Sequence, residues 1–142
     1  MIVLDVNILL YAYDSTSSHH VKARAWIEQT FSGGVLVGLP WNTILAFLRI
    51  VTNTRLQGRR FTVEEAIQIV QSWIEQPNVR LLGPGEGHWS MLSQILMAGQ
   101  VRGPLVPDAE IAALTLECGG VLHTTDRDFA RFPGLRWTNP LA

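Results

Sequence analysis

The chain has 142 residues, 47% of them hydrophobic, with a mean hydropathy of +0.17 and a formal net charge of −1. That is enough for one domain with a sizeable core, it excludes disorder, and no apolar run approaches the ~20 residues of a membrane helix. Cys118 is the only cysteine, which excludes a disulfide framework and a thiolate zinc cage, so a soluble cytoplasmic protein is expected.

The chain opens "MIVLDVNILLYAYD", with four apolar residues set directly against Asp5. The run lacks a basic leader and a small-residue cleavage site, so no signal peptide is expected. Residues 1–4 read as a strand buried on both faces, as in a parallel sheet, and residues 6–13 as the start of a helix or turn. "SSHHVKARAWIEQTF" predicts a helix capped by Ser18, with Val21, Ala25, Trp26 and Ile27 on its apolar stripe. "GGVLVGLP" is a second short strand between breakers. "WNTILAFLRIVTN" predicts a helix on which Trp41, Ile44, Leu45, Leu48 and Val51 recur at three- and four-residue steps.

In "FTVEEAIQIVQSWIEQP", Thr62 and Glu65 have capping-box spacing and Pro77 stops the helix. "NVRLL" is a third strand, residues 86–99 another helix, and "PDAEIAALTLECGG" a helix with Pro107 in its first turn. "GVLHTT" is a fourth strand, followed by a turn and short helix at "DRDFARF", and "LRW" adds an edge strand. Strands alternating with helices predict one domain over residues 1–142, an α/β fold whose parallel sheet is covered on both faces.

In such sheets ligands sit outside the carboxyl ends of the strands, and the aspartates fall there. Asp5 follows the first strand, Asp126 and Asp128 follow "GVLHTT", and Asp108 opens a helix after "LVP". Two carboxylates about 4 Å apart repel by roughly 4 kcal/mol at an effective dielectric near 20, so a cluster stays ionised only beside a cation. Oxygen donors without Cys or a paired His favour Mg²⁺ or Mn²⁺ over zinc. Each acid also has a purely structural reading. Asp108 and Glu110 suit a first helical turn, and Asp126 or Asp128 suits a cap. Asp5 resists that reading, because a central strand tolerates a charge only with partners. His19, His20, His88 and His123 match no acid motif, and His123 reads as a packed strand residue.

Four stretches, "MIVLDVNILLYAYD", "LPWNTILAFLRIVTN", "LVPDAEIAALTLECGGVLHTTDRDFARF" and "PGLRWTNPL", resemble in order and spacing the PIN-domain family, and most closely VapC-type toxin ribonucleases. The resemblance implies a three-layer α/β/α sandwich with a central, mainly parallel sheet, and cleavage of RNA that depends on a divalent metal, Mg²⁺ or Mn²⁺. By position it implies metal-binding catalytic acids at Asp5, Asp108 and Asp126, with Asp128 beside them, and supporting roles for Asn7 and Thr125. It also implies a homodimer and a small antitoxin partner.

One family acid is missing. Where "E-x-x-R" is common, Arg49 is preceded by Ala46. Asn42, Ala46, Arg49 and Asn53 form one polar stripe on the predicted helix. Either Asn42, with Glu110 in reserve, partly fills the vacancy, or Asn42 only caps its helix after Pro40. Arg49, with Arg55, Arg59 and Arg60 in the loop beyond, is positioned for RNA phosphates, or the loop is simply solvated.

Two other classes share part of this pattern. Phosphotransferases with an Asp after the first strand need a second Asp where this chain has Asn7, or a late Lys where the sole lysine is Lys22. A PIN fold that binds RNA and antitoxin without cutting is the stronger rival, and Ala46 is its support.

Overall fold

The computed structural model describes residues 1–54 and 61–142. Five strands, β1 (Ile2–Leu4), β2 (Val37–Pro40), β3 (Val79–Leu82), β4 (Val121–His123) and β5 (Trp137–Thr138), form one sheet in the order β3-β2-β1-β4-β5. All four pairings are parallel. The helices are α1 (Val6–Ala12), α2 (His20–Phe31), α3 (Trp41–Val51), α4 (Val63–Ile74), α5 (His88–Ala98) and α6 (Val106–Glu117).

Adjacent strand residues point to opposite faces, and the two faces carry separate cores. Leu4, Val37 and Leu39 pack with Ile8, Ile27, Ile44, Phe47, Val70 and Trp73 from α1 to α4. Val3 and Leu122 pack with Ile95, Ile111, Ala112, Phe129 and Phe132 on the α5–α6 side. The result is the expected three-layer α/β/α sandwich. In the first core, the indole N–H of Trp73 donates to Tyr13 Oη at 3.1 Å, and the Phe47 ring meets the indole edge-on at 4.7 Å. Gly38 keeps β2 thin where it must be. A Cβ there would come within 2.7 Å of Leu82 Cδ1 and 2.8 Å of Met1 Sδ.

The capping box of α4 forms as expected, with Glu65 N–H donating to Thr62 Oγ1 and Thr62 N–H to Glu65 Oε1. Three local expectations are corrected. Ser18 does not cap α2, which starts after His19 without a side-chain cap. Ser17 takes the nearby polar role, accepting from the His19 N–H. The buried stripe of α2 is Ala23, Ile27 and Phe31, whereas Val21 and Ala25 face outward. On α3 the buried residues are Thr43, Ile44 and Phe47, and Trp41 and Leu45 are exposed. A hydroxyl replaces an apolar side chain at Thr43 because it donates to the Leu4 carbonyl at 2.8 Å, pinning the first turn of α3 to the end of β1.

From β1 the chain builds outward through β2 and β3, then α5 and α6 carry it back across to β4 on the other side of β1. The topological switch point therefore lies between β1 and β4, and a crevice opens there beyond the strand ends. Among the described residues no helix is long and apolar enough to cross a membrane.

Candidate active site

Parallel register sets Leu4 opposite His123, so the residues that leave the two strands, Asp5 and Thr124, emerge side by side at the switch point. Asp5 is only 5% exposed. Its Oδ1 accepts from the Val6 N–H at 2.8 Å, and its Oδ2 accepts from the Thr124 hydroxyl at 2.7 Å. These two bonds are the partners a buried carboxylate in a central strand demands. Burial still raises the Asp5 pKa above the ordinary carboxylate value, with Asp126 adding to the rise and the two hydrogen bonds opposing it.

Thr124 is the hub. While its proton goes to Asp5, its oxygen accepts from the Asp126 N–H at 3.0 Å and from Asn7 Nδ2 at 3.4 Å. The sequence expectation named Thr125 for this supporting role; the hydroxyl bonded to Asp5 belongs to the residue before it. Asn7 Oδ1 is buried and has no hydrogen-bond partner among the described residues.

Asp126 Oδ1 accepts from the Asp128 N–H at 2.9 Å and starts the 3-10 helix Arg127–Arg131, the form taken by the short helix expected at "DRDFARF". Asp108 lies in the first turn of α6 and is half-buried. Its carboxyl is pushed up to about 6, first by burial, then by the charges of Asp5, Asp126 and Asp128, against a downward pull from Arg131. Asp108 thus lies within electrostatic reach of Asp5, Asp126 and Asp128, and Asp5 within reach of Asp126. Arg131, absent from the expected site residues, lowers Asp108 by its charge.

One face of α3, from Trp41 to Ile50, forms the opposite wall. Asn42, Ala46 and Arg49 share a cleft of ≈ 560 Å³ with Asp5, Asp108 and Glu110. Asn42 does not cap α3; the residue before the helix is Pro40 and makes no side-chain cap. Its Nδ2 donates instead to the Pro107 carbonyl at 3.1 Å, tying α3 to the start of the helix that carries Asp108. Ala46 places no acid in the cleft. Asn53 lies past the end of α3, so the expected polar stripe stops at Arg49. Arg55, Arg59 and Arg60 lie outside the described residues.

His88 is not without an acid, contrary to expectation. Its Nδ1 stands 2.7 Å from Glu117 Oε2, joining α5 to the end of α6 remote from Asp108. His123 packs as expected, its ring stacked 5.3 Å from that of Trp26. Burial lowers the His123 pKa.

Among the described residues, the donors at the crevice are carboxylate oxygens and the unpartnered amide oxygen of Asn7, the oxygen ligands that hard cations take. Among the described residues, no group of three or more His, Cys, Asp or Glu side chains forms a ready-made cage.

The PIN domain family model matches residues 2–135, and this chain belongs to the PIN-domain family. Curated relatives include Ribonuclease VapC33 of Mycobacterium tuberculosis, 37% identical over 141 residues that cover 99% of each chain. Ribonuclease VapC37 of the same species is also 37% identical, over 100% of this chain and 99% of its own. Among solved structures, VapBC2 from Rickettsia felis bound to a promoter DNA fragment superposes with a TM-score of 0.70 at 14% identity, over 98% of both chains. Mycobacterium tuberculosis VapC20, described as a sarcin-ricin loop cleaving toxin, gives 0.68 at 18% identity, over 96% of this chain and 99% of that one. These structural likenesses concern the fold.

Proposed function

We propose that the chain is an endoribonuclease, the toxin of a toxin–antitoxin pair, that hydrolyses RNA phosphodiester bonds with a divalent cation held by Asp5, Asp108 and Asp126, with Asp128 beside them. The observation that carries this reading is the convergence of carboxylates from three distant segments at one crevice, where burial first and then the charges of Asp5, Asp126 and Asp128 push Asp108 up to about 6. Full-length relatives named as ribonucleases support it.

Bound Mg²⁺ or Mn²⁺ supplies neutralisation of phosphate charge and a water of lowered pKa. The chain's own residues do the positioning. Thr124 fixes the Asp5 carboxylate through one oxygen and leaves the remaining lone pairs of both oxygens for a ligand. Asn7 offers its unpartnered Oδ1 as an acceptor for an ordered water at the same site. Asn42 holds the first turn of α6, and with it Asp108, against α3. Arg49, exposed on the cleft wall, binds a substrate phosphate and offsets the repulsion between RNA and the acids. Arg55, Arg59 and Arg60 extend that role in the same proposal, and Glu110 stands in reserve on the cleft wall.

A cytoplasmic location, a homodimer and a small antitoxin partner belong to the same reading; VapBC pairs among the structural neighbours support the antitoxin partner. A second reading, a binding module that no longer cuts, is favoured by Ala46 alone. The test is incubation of purified protein and labelled single-stranded RNA with Mn²⁺ or Mg²⁺, beside an Asp5→Asn control. Cleavage that disappears in the control is expected. Equal cleavage by both proteins contradicts the assignment of Asp5, and no cleavage by either favours the module.

A further inference from the structure

Residues four apart on a helix lie one above the other, about 6 Å apart along its axis. On α3 one such row is Trp41, Leu45 and Arg49: an aromatic ring, an aliphatic side chain and a guanidinium. All three are exposed, and all three line the acid cleft. Trp41 is the first residue after β2, so its indole stands at the carboxyl edge of the sheet, where ligands of parallel sheets bind.

The other tryptophans show why this one is unusual. Trp73 is in the core with its N–H bonded to Tyr13, Trp26 is stacked on His123, and Trp137 on β5 packs against the α5–α6 core. Trp89 is exposed, but on α5 and outside the acid cleft. Trp41 is 47% exposed and, among the described residues, has no ring partner or hydrogen bond. Its Cδ1 edge rests over Gly83, where an added Cβ would stand 3.4 Å away, so the ring is supported from one side. Pro104 and Pro107 bring further apolar surface to the cleft. A large indole left half in water beside a charged cluster contributes little to folding.

We infer that Trp41 stacks on a nucleobase next to the scissile phosphate and so selects the nucleotide at the cleavage position. This rests on the ribonuclease reading and adds its specificity element. The acids and Arg49 meet only phosphate, which is the same in every nucleotide. A flat π surface meets the base, and the broader rings of a purine stack more strongly than those of a pyrimidine. The row therefore orders the substrate along α3, with a base at Trp41, the reacting phosphate beside Asp108, and a further phosphate at Arg49.

The experiment uses the full chain and a single-stranded RNA oligomer containing the cleavage site mapped with the wild-type protein, together with the same oligomer carrying an abasic ribose next to that site. Trp41→Ala is expected to lower kcat/KM about tenfold on intact RNA, mainly through KM. Trp41→Phe restores most of the activity and Trp41→Leu does not. Wild type loses a similar factor on the abasic oligomer, and Trp41→Ala loses nothing further. Equal losses of Trp41→Ala on both oligomers, or activity of Trp41→Leu equal to that of Trp41→Phe, overturn the inference. So does a shift from dimer to monomer in Trp41→Ala by light scattering, which would assign the ring to a second copy. Should the wild type cut no RNA, the ribonuclease reading fails by itself. Fluorescence anisotropy with a labelled single-stranded RNA of mixed sequence then judges Trp41 separately: weaker binding by Trp41→Leu than by Trp41→Phe supports the contact, and equal binding overturns it.

Discussion

The hydroxyl of Thr124 donates a 2.7 Å hydrogen bond to Asp5 Oδ2, joining residues 119 positions apart across the gap between β1 and β4. Both side chains are buried, and the same oxygen also receives the Asp126 N–H. Thr124→Val keeps the shape but strands an acceptor on Asp5 and the donors on Asn7 and Asp126. A stability loss of about 2 kcal/mol in urea unfolding is expected, with weaker Mn²⁺ binding. Thr124→Ser, which keeps the hydroxyl, is expected to retain most of both.

Asp108 sets a pH dependence. Its pKa is raised from 3.8 to about 6, so between those values the folded chain binds more protons than the unfolded one. Stability then falls as pH rises through that window, because the charged carboxylate is opposed only in the folded state. Burial raises Asp5 in the same direction. In metal-free protein Asp108→Asn is expected to raise Tm at pH 7.5 and leave it nearly unchanged at pH 4, measured by scanning calorimetry. Added Mg²⁺ is expected to raise the wild-type Tm more at pH 7.5 than at pH 5.

The wall opposite the acids gives a paired prediction. Asn42→Ala removes the donor to the Pro107 carbonyl and loosens α3 from α6. RNA cleavage is expected to slow about tenfold, a size seen when outer supporting bonds are lost, while Mn²⁺ affinity changes less. Ala46→Glu places a carboxylate in the same cleft. It is expected to tighten Mn²⁺ several-fold in titration calorimetry, as added ligand charge does.

The arginines separate by role. Arg49→Ala is expected to reduce the salt dependence of RNA affinity by about one counterion. Arg131→Ala removes the cation that holds Asp108 down, so the acid limb of the cleavage pH profile is expected to move upward. A salt-dependence change confined to Arg131→Ala would reverse these assignments.

Much of this architecture was legible because local signals agreed with the fold. Short apolar strands between breakers, the Thr62–Glu65 box and acids at strand ends all appear where the pattern sets them. Long-range partners were less legible. Nothing local distinguishes Thr124 from Thr125; the choice follows from the β1–β4 register, which sets Thr124 beside Asp5. Apolar periodicity also overcounted burial. Trp41 and Leu45 fit the helical stripe of α3, but the pinning of Thr43 to Leu4 turns another face inward and leaves them on the cleft. Asn42 read as a cap or a substitute ligand because its actual acceptor, Pro107, is 65 residues away. The His88–Glu117 pair spans 29 residues and two helices, beyond any motif.

The central claim is that acids from residues 5, 108 and 126 act together on one divalent ion. Calorimetric titration of the metal-free protein with Mn²⁺ at pH 7.5 addresses it directly. Saturable binding by the wild type, with proton release and at least tenfold weakening in each of Asp5→Asn, Asp108→Asn and Asp126→Asn, is the predicted result. Binding that survives unchanged in those variants, or no binding by the wild type, would contradict it.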